Sequence, residues 1–284
     1  MSTNFHRSIT QKIRSFYEHH SFPGYEAIDD ADSLIKKAQA NLYINLLSHQ
    51  LPQHQSILEI GCGTGQLANL LGLNHRFIIG ADLSFNSLKI AQNFKTSQFI
   101  DTAHFVQMDI FYPCFPPASF DITLSNGVLH HTANPQKAFA NMVNLTKPGG
   151  LVILGLYNPF GRAWTNIRRR LFRYFGRIDA LDYYLRHPDF PENKKRIWFK
   201  DQYQNPHESQ HTVNEVLRWF DTYRVSFLNA IPKITPLERL TGNEKLFNHH
   251  HRGTSVEHFI SQLFWIVTQA REGGLFILIG RKAK

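Results

Sequence analysis

The chain has 284 residues, 42% hydrophobic and 19% charged, a balance that excludes collagen-like, disordered and membrane-spanning classes. It leaves one large α/β domain, or a core of ordinary size with added segments. With 31 Lys and Arg against 22 Asp and Glu the formal charge is +9, which favours phosphate-bearing substrates, nucleic acid or an acidic membrane surface as partners. The longest apolar runs, such as 151–154 and 275–279, are strand-length, far short of the roughly 20 residues of a spanning helix. Residues 1–14 are polar and carry no secretory signal, so a cytoplasmic location is expected. Of the two cysteines, Cys62 and Cys114, the first lies in a glycine-rich turn where a disulfide would distort the backbone.

In chain order, residues 1–50 are expected to form an N-terminal helical lid segment, with a helix at about 33–50. Its stretch Phe16-Tyr17 and Phe22-Pro23-Gly24-Tyr25 is aromatic and turn-rich, suited to folding over a bound ligand or to packing as a tail. From 51 to 156 short apolar runs alternate with helical periodicity. Strands are expected at 56–60, 76–81, 104–108, 120–125 and 151–156, the last after the turn Lys147-Pro148-Gly149-Gly150. Helices fall between them, one opened by Ser84 as N-cap and one at 135–145. Such alternation predicts a parallel sheet with helices on both faces. Residues 157–211 are expected to be an inserted helical cap after the fifth strand. Residues 212–284 should complete the sheet with strands at 224–231 and 274–279, and with helices at about 212–221 and 256–270.

The chemistry concentrates at strand ends. Glu59 precedes Gly61, Gly63 and Gly65 in a strand-to-helix turn whose backbone amides can approach a ligand with no side chain in the way. Spacing of Gly-x-Gly-x-Gly differs from the dinucleotide fingerprint Gly-x-Gly-x-x-Gly and favours a sulfonium-bearing amino acid nucleoside over a pyrophosphate. Asp82 ends the second strand, where a carboxylate accepts from ribose hydroxyls. Asp109 ends the third, placed to accept from an adenine amine while Ile110 packs on the ring. Any one of these acids is an ordinary cap or loop residue; three at successive strand ends form a series.

The motifs Leu58 to Gly65, Gly80-Ala81-Asp82-Leu83-Ser84, Gln107-Met108-Asp109, Ser119-Phe120-Asp121-Ile122, Val128-Leu129-His130-His131 and Leu145 to Gly150 resemble those of class I S-adenosylmethionine-dependent methyltransferases. The nearest group is the one that includes the ubiquinone and menaquinone methylating enzymes. The resemblance covers roughly residues 50–156 and implies a Rossmann-like seven-stranded sheet with a reversed last strand. It implies S-adenosylmethionine as cofactor, bound by Glu59, Gly61, Cys62, Gly63, Gly65, Asp82, Leu83, Asp109, Ile110 and Asn126. His131 becomes the candidate proton acceptor, with His130, Tyr203 and His207 on the acceptor side. No metal site is expected. His207-Glu208-Ser209-Gln210-His211 matches His-Glu-x-x-His, but Thr212 with Glu215 makes a capping box that starts the helix after both histidines. Asn158-Pro159-Phe160 follows the fifth strand rather than the fourth, so it does not carry the reading of an amino-group methylating signature.

The acceptor side is less specific. Trp164, Ile167, Leu171, Phe172 and Phe175 recur at helical spacing over 162–177, with Arg168, Arg169, Arg170 and Arg173 on the remaining surface. Such a helix suits a lid over a small-molecule or lipid-like acceptor, a peripheral membrane contact or an RNA contact. Transfer to a small or lipid-like acceptor leads; an RNA methyltransferase and a non-catalytic S-adenosylmethionine-binding protein are the alternatives.

Overall fold

The computed structural model describes residues 2–22, 30–269 and 273–284. Seven strands, β1 (Ile57–Ile60), β2 (Ile78–Asp82), β3 (Ala103–Gln107), β4 (Phe120–Asn126), β5 (Thr146–Tyr157), β6 (Val225–Ile231) and β7 (Leu275–Lys282), form one sheet in the order β3-β2-β1-β4-β5-β7-β6. Neighbours among β1 to β5 pair in parallel, and β7 runs antiparallel between β5 and β6. This is the seven-stranded sheet with a reversed last strand that the motifs imply.

The strands are apolar on both faces because both are covered. Along β5, Val152 and Leu154 belong to one buried cluster and Leu151 and Ile153 to the other. The first face packs on α6 (Pro135–Leu145) and α10 (Val213–Thr222) through Phe139, Met142, Leu217 and Phe220. The second meets α3 (Leu42–Gln50) and α4 (Gln66–Leu73) through Leu46, Leu47, Leu70 and Leu71, and α5 (Phe85–Ser97) through Phe94. A long helix, α1 (Ser2–His19), crosses to α5 and is clamped there: Glu18 accepts from the amides of Phe85 and Asn86, both at 2.9 Å. Residues 158–212 hold α7 (Ala163–Phe175), the single turn α8 (Tyr183–Arg186) and α9 (Glu192–Gln204); α11 (Ser255–Thr268) follows β6.

Several local expectations change. The single helix expected at 33–50 is two, α2 (Ala31–Ala40) and α3, because Asn41 is extended at φ −101° and its side chain accepts from the Ile44 amide, starting a new helix. Phe16 and Tyr17 belong to α1 rather than to a turn, since the helical pattern of the preceding residues continues through them. Pro23, Gly24 and Tyr25 lie outside the described residues. The turn at 147–150 is absorbed into β5 as a bulge between the pairs Phe120–Thr146 and Ile122–Leu151. At the start of α10, Thr212 accepts from the Glu215 amide, while the Glu215 carboxylate turns to His211 Nδ1 at 2.8 Å, so only half of the expected capping box forms.

Candidate functional site

Beyond the C-terminal ends of β1, β2 and β4 lies a cavity of about 540 Å³ that runs from the glycine turn to the cap helices. At its first end the chain leaves β1 through Gly61, Gly63 and Gly65, all in the left-handed region with φ of 75°, 53° and 75°. A Cβ on Gly61 would sit 2.3 Å from Val128 Cγ1, so only glycine lets this backbone pass. Gly65 serves packing: its Cβ would strike Ala91 and Phe105, and it stands outside the cavity wall.

Gly65 brings no side chain to cap α4, and Glu59 takes that role by accepting from the Ala68 amide. The second Glu59 oxygen, Oε2, is buried without a partner in the cavity wall. Burial, with Asp82 adding its charge, pushes the Glu59 carboxyl up to about 8. Asp82 accepts from the Gly63 and Ser84 amides at 2.8 Å each; burial still raises its pKa despite those two donors. Its carboxylate has further lone pairs for a ligand's hydroxyls. Asp109 is held by accepting from the Phe111 amide at 2.9 Å.

The other end is built by elements far apart in sequence. Tyr17 of α1 donates to Asp201 of α9 at 3.0 Å and accepts from Asn205 at 2.9 Å. Gln202 Nε2 donates to the Tyr157 hydroxyl at 3.2 Å. The Tyr157 ring is sandwiched between the His130 ring, centroids 3.9 Å apart, and the Arg162 guanidinium, 3.8 Å from its centroid. Arg162 is fully buried, and its charge is answered by Glu208, which also takes Arg169. Burial alone would raise the Glu208 carboxyl; the two guanidiniums outweigh it and hold it at about 2.

The two histidines form a pair with assignable protons. His131 Nδ1 lies 2.8 Å from the His207 carbonyl oxygen, which only accepts, so Nδ1 carries the hydrogen. Burial pushes both rings down and keeps them neutral. His131 Nε2 is then a bare acceptor, 3.1 Å from His130 Nε2, which must donate to it. The remaining His130 nitrogen, Nδ1, is buried without a partner. The lone pair a proton acceptor would use on His131 is therefore already engaged.

Of the residues expected to bind the cofactor, Glu59, Gly61, Cys62, Gly63, Asp82, Leu83, Asp109, Ile110 and Asn126 all line this cavity, as does His131. Three expected acceptor residues stand off it. His130 lies behind Tyr157, Tyr203 packs inside the cap with its hydroxyl on Asp182, and His207 Nε2 turns to the Thr132 carbonyl. Arg168 and Arg169 turn inward to Asp182 and Glu208, so only part of the basic helix faces solvent. Tyr17 and Phe22, from the aromatic N-terminal stretch, line the cavity, and Tyr157, Trp198, Asp201 and Gln202 do so without having been singled out in the sequence. A signal existed for three of them, since 198, 201 and 202 share one helical face, but in a helix as polar as α9 that pattern reads as a solvated surface.

Fold and donor end together define the class: the chain carries a class I S-adenosylmethionine-dependent methyltransferase domain. Residues 58–154 match the family model of a methyltransferase domain. Over 250 residues, 78% of this chain, it is 26% identical to an uncharacterized protein, syc1184_c, of Synechococcus sp., and spans 60% of that relative. Over 110 residues, 39% of this chain, it is 26% identical to the ubiquinone biosynthesis O-methyltransferase of Klebsiella pneumoniae, spanning 46% of it. The structure of geranyl diphosphate C-methyltransferase from Streptomyces coelicolor A3(2) superposes with a TM-score of 0.54 at 14% identity, covering 99% of both chains. That likeness is one of fold.

S-adenosylmethionine is the cofactor of this domain class, and the residues present fit it. The orphaned Glu59 Oε2 calls for a donor such as an ammonium group, Asp82 offers lone pairs to hydroxyls, and Gly61 leaves the backbone bare. No helix among the described residues is long and apolar enough to cross a membrane.

Proposed function

We propose that the protein transfers the methyl group of S-adenosylmethionine to a small or lipid-like acceptor held between Tyr17, Trp198 and Asp201. The observation that carries this reading is the set of orphaned polar atoms on one cavity wall: Glu59 Oε2 and Asn126 Oδ1 at the donor end, and Trp198 Nε1 at the cap end. Buried polar groups are otherwise satisfied in folded proteins, so one continuous cavity asks for two sets of partners. Glu59 and the glycine turn would hold the amino acid end of the donor, Asp82 the ribose, and Asp109 with Ile110 the adenine. Once bound, the donor supplies an electrophilic methyl group.

The remaining work is positioning. Displacement at a methyl carbon needs acceptor, carbon and sulfur in line, and holding that line supplies much of the acceleration. The Trp198 indole donates to an oxygen of the acceptor, while Asp201, already oriented by Tyr17 and Gln202, accepts from its O–H or N–H. Asp201 is better placed for that role than His131, whose Nε2 lone pair is engaged by His130. An acceptor with an aromatic or apolar body fits walls made by Tyr17, Tyr157 and Trp198. The inward turn of Arg168 and Arg169 weakens the RNA reading.

The test is transfer of labelled methyl into a cell extract by the full chain. Label is expected in a low-molecular-weight or lipid product, and Asp201→Asn should lower kcat about 100-fold or more with donor affinity unchanged. Label confined to RNA, or no label from protein that binds the donor, would overturn the proposal.

A further inference from the structure

Helix α11 is reversed in its amphipathicity. Val256, Phe259, Ile260, Leu263, Phe264 and Val267 recur at helical spacing and are 68%, 51%, 38%, 43%, 58% and 76% exposed. The opposite stripe, His258, Ser261, Gln262 and Trp265, is buried. Two of its polar members are anchored: Gln262 Oε1 accepts from Asn158 Nδ2 at 2.7 Å and from the Val213 amide at 3.0 Å. The two ring nitrogens of His258 lie 2.5 Å from Asn214 Oδ1 and 2.6 Å from the Arg252 carbonyl. The helix therefore cannot roll its apolar side inward without leaving these groups unpaired. Residues 258–269 contain no Lys, Arg, Asp or Glu.

The face continues onto α7. Phe160 meets Phe259 edge to face at 5.9 Å, and just beyond it α7 exposes Trp164, Ile167 and Tyr174 along one stripe, at 47%, 46% and 81%. Arg170 and Arg173 flank that stripe; unlike Arg168 and Arg169, they have no ion-pair partner among the described residues and lie exposed. Apolar anchors, an interfacial Trp and Tyr, and cations at the margin are the combination that suits a negatively charged lipid surface. A contiguous apolar face of this kind seldom stays in water without a role.

We propose that the outer faces of α11 and α7 dock the protein on an anionic phospholipid bilayer, with Phe259, Phe264 and Trp164 entering the headgroup region and Arg170 and Arg173 pairing with phosphates. Charge argues for this occupant over a second copy of the chain: at +9 overall, with arginines beside the patch, two such faces repel, whereas anionic headgroups complement them. The inference goes beyond methyl transfer and does not depend on it, since lipid binding is read without turnover.

The test is flotation of the full chain with vesicles of phosphatidylcholine, with and without phosphatidylglycerol. Binding is expected to require phosphatidylglycerol and to weaken with added salt. The pair Phe259→Ser and Phe264→Ser should lose about tenfold or more in affinity, and the pair Arg170→Gln and Arg173→Gln about tenfold, each with unchanged circular dichroism. Should the serine pair disturb the helix, the arginine pair alone still tests the surface, because both side chains are solvated. No flotation of the wild type, or flotation that neither pair alters, would overturn the proposal. A dimer in sedimentation that the serine pair turns to monomer, without vesicle binding, would overturn it in favour of self-association.

Discussion

Residues 58–154 and residues 157–211 build the two ends of one cavity by opposite means. In the first region Glu59, the glycine turn, Asp82 and Asp109 all sit at a strand end or in the turn after it, and the sheet's register sets the distances. In the second, the wall depends on pairs such as Tyr17 with Asp201, 184 positions apart, and on a fully buried guanidinium stacked on Tyr157. A site made by local backbone geometry is legible in a short motif; one made by side chains far apart in sequence is not. The lesson is that a conventional donor end says little about the chemistry at the other.

Cutting the cap's ionic centre separates the regions most sharply. Glu208→Gln leaves Arg162 buried with its countercharge removed, at a cost of about 3–5 kcal/mol. Hydrogen exchange should rise across 157–211 and stay near wild type across 58–154. Uniform loss of protection would show that the two regions unfold as one, and no loss would show that the buried pair contributes nothing.

A smaller effect probes the donor end. Folded Glu59 keeps its proton to about pH 8, against an ordinary 4.5 when unfolded. Its contribution is thus fully present below about 4.5 and is lost as pH rises through 8, because the folded state must then ionise a buried acid. Urea unfolding of the ligand-free protein should show wild type falling behind Glu59→Gln by up to about 4 kcal/mol between pH 5 and pH 9, while the variant binds S-adenosylmethionine more weakly. Parallel pH profiles for the two proteins would contradict that assignment.

The legibility of the sequence divides along the same line. Glycines with forced left-handed backbone, an acid two positions before them and aspartates at the next strand ends are local signals, and the cavity wall contains nearly all of them. Gly65 is the exception, because a glycine needed against Ala91 and Phe105 looks the same in sequence as one needed by a ligand. Asp201 and Trp198 went unnoticed because they lie in a helix rich in Lys and Gln, and the stretch holding Tyr17 offered no sign of its partners, which come from the other end of the chain. Arg162, two residues after Asn158-Pro159-Phe160, reads as one more surface cation until Glu208 arrives to bury it. His207, Glu208 and His211 drew attention as a metal pattern, whereas Glu208 is the anion that holds the cap together.

The donor end is where the account stands or falls, and calorimetric titration of S-adenosylmethionine into wild type and Asp82→Ala tests it most directly. Removal of the carboxylate that ends β2 should weaken binding about a hundredfold, with the fold intact by circular dichroism. Equal affinity in the two proteins would contradict the placement of the donor across the ends of β1, β2 and β3.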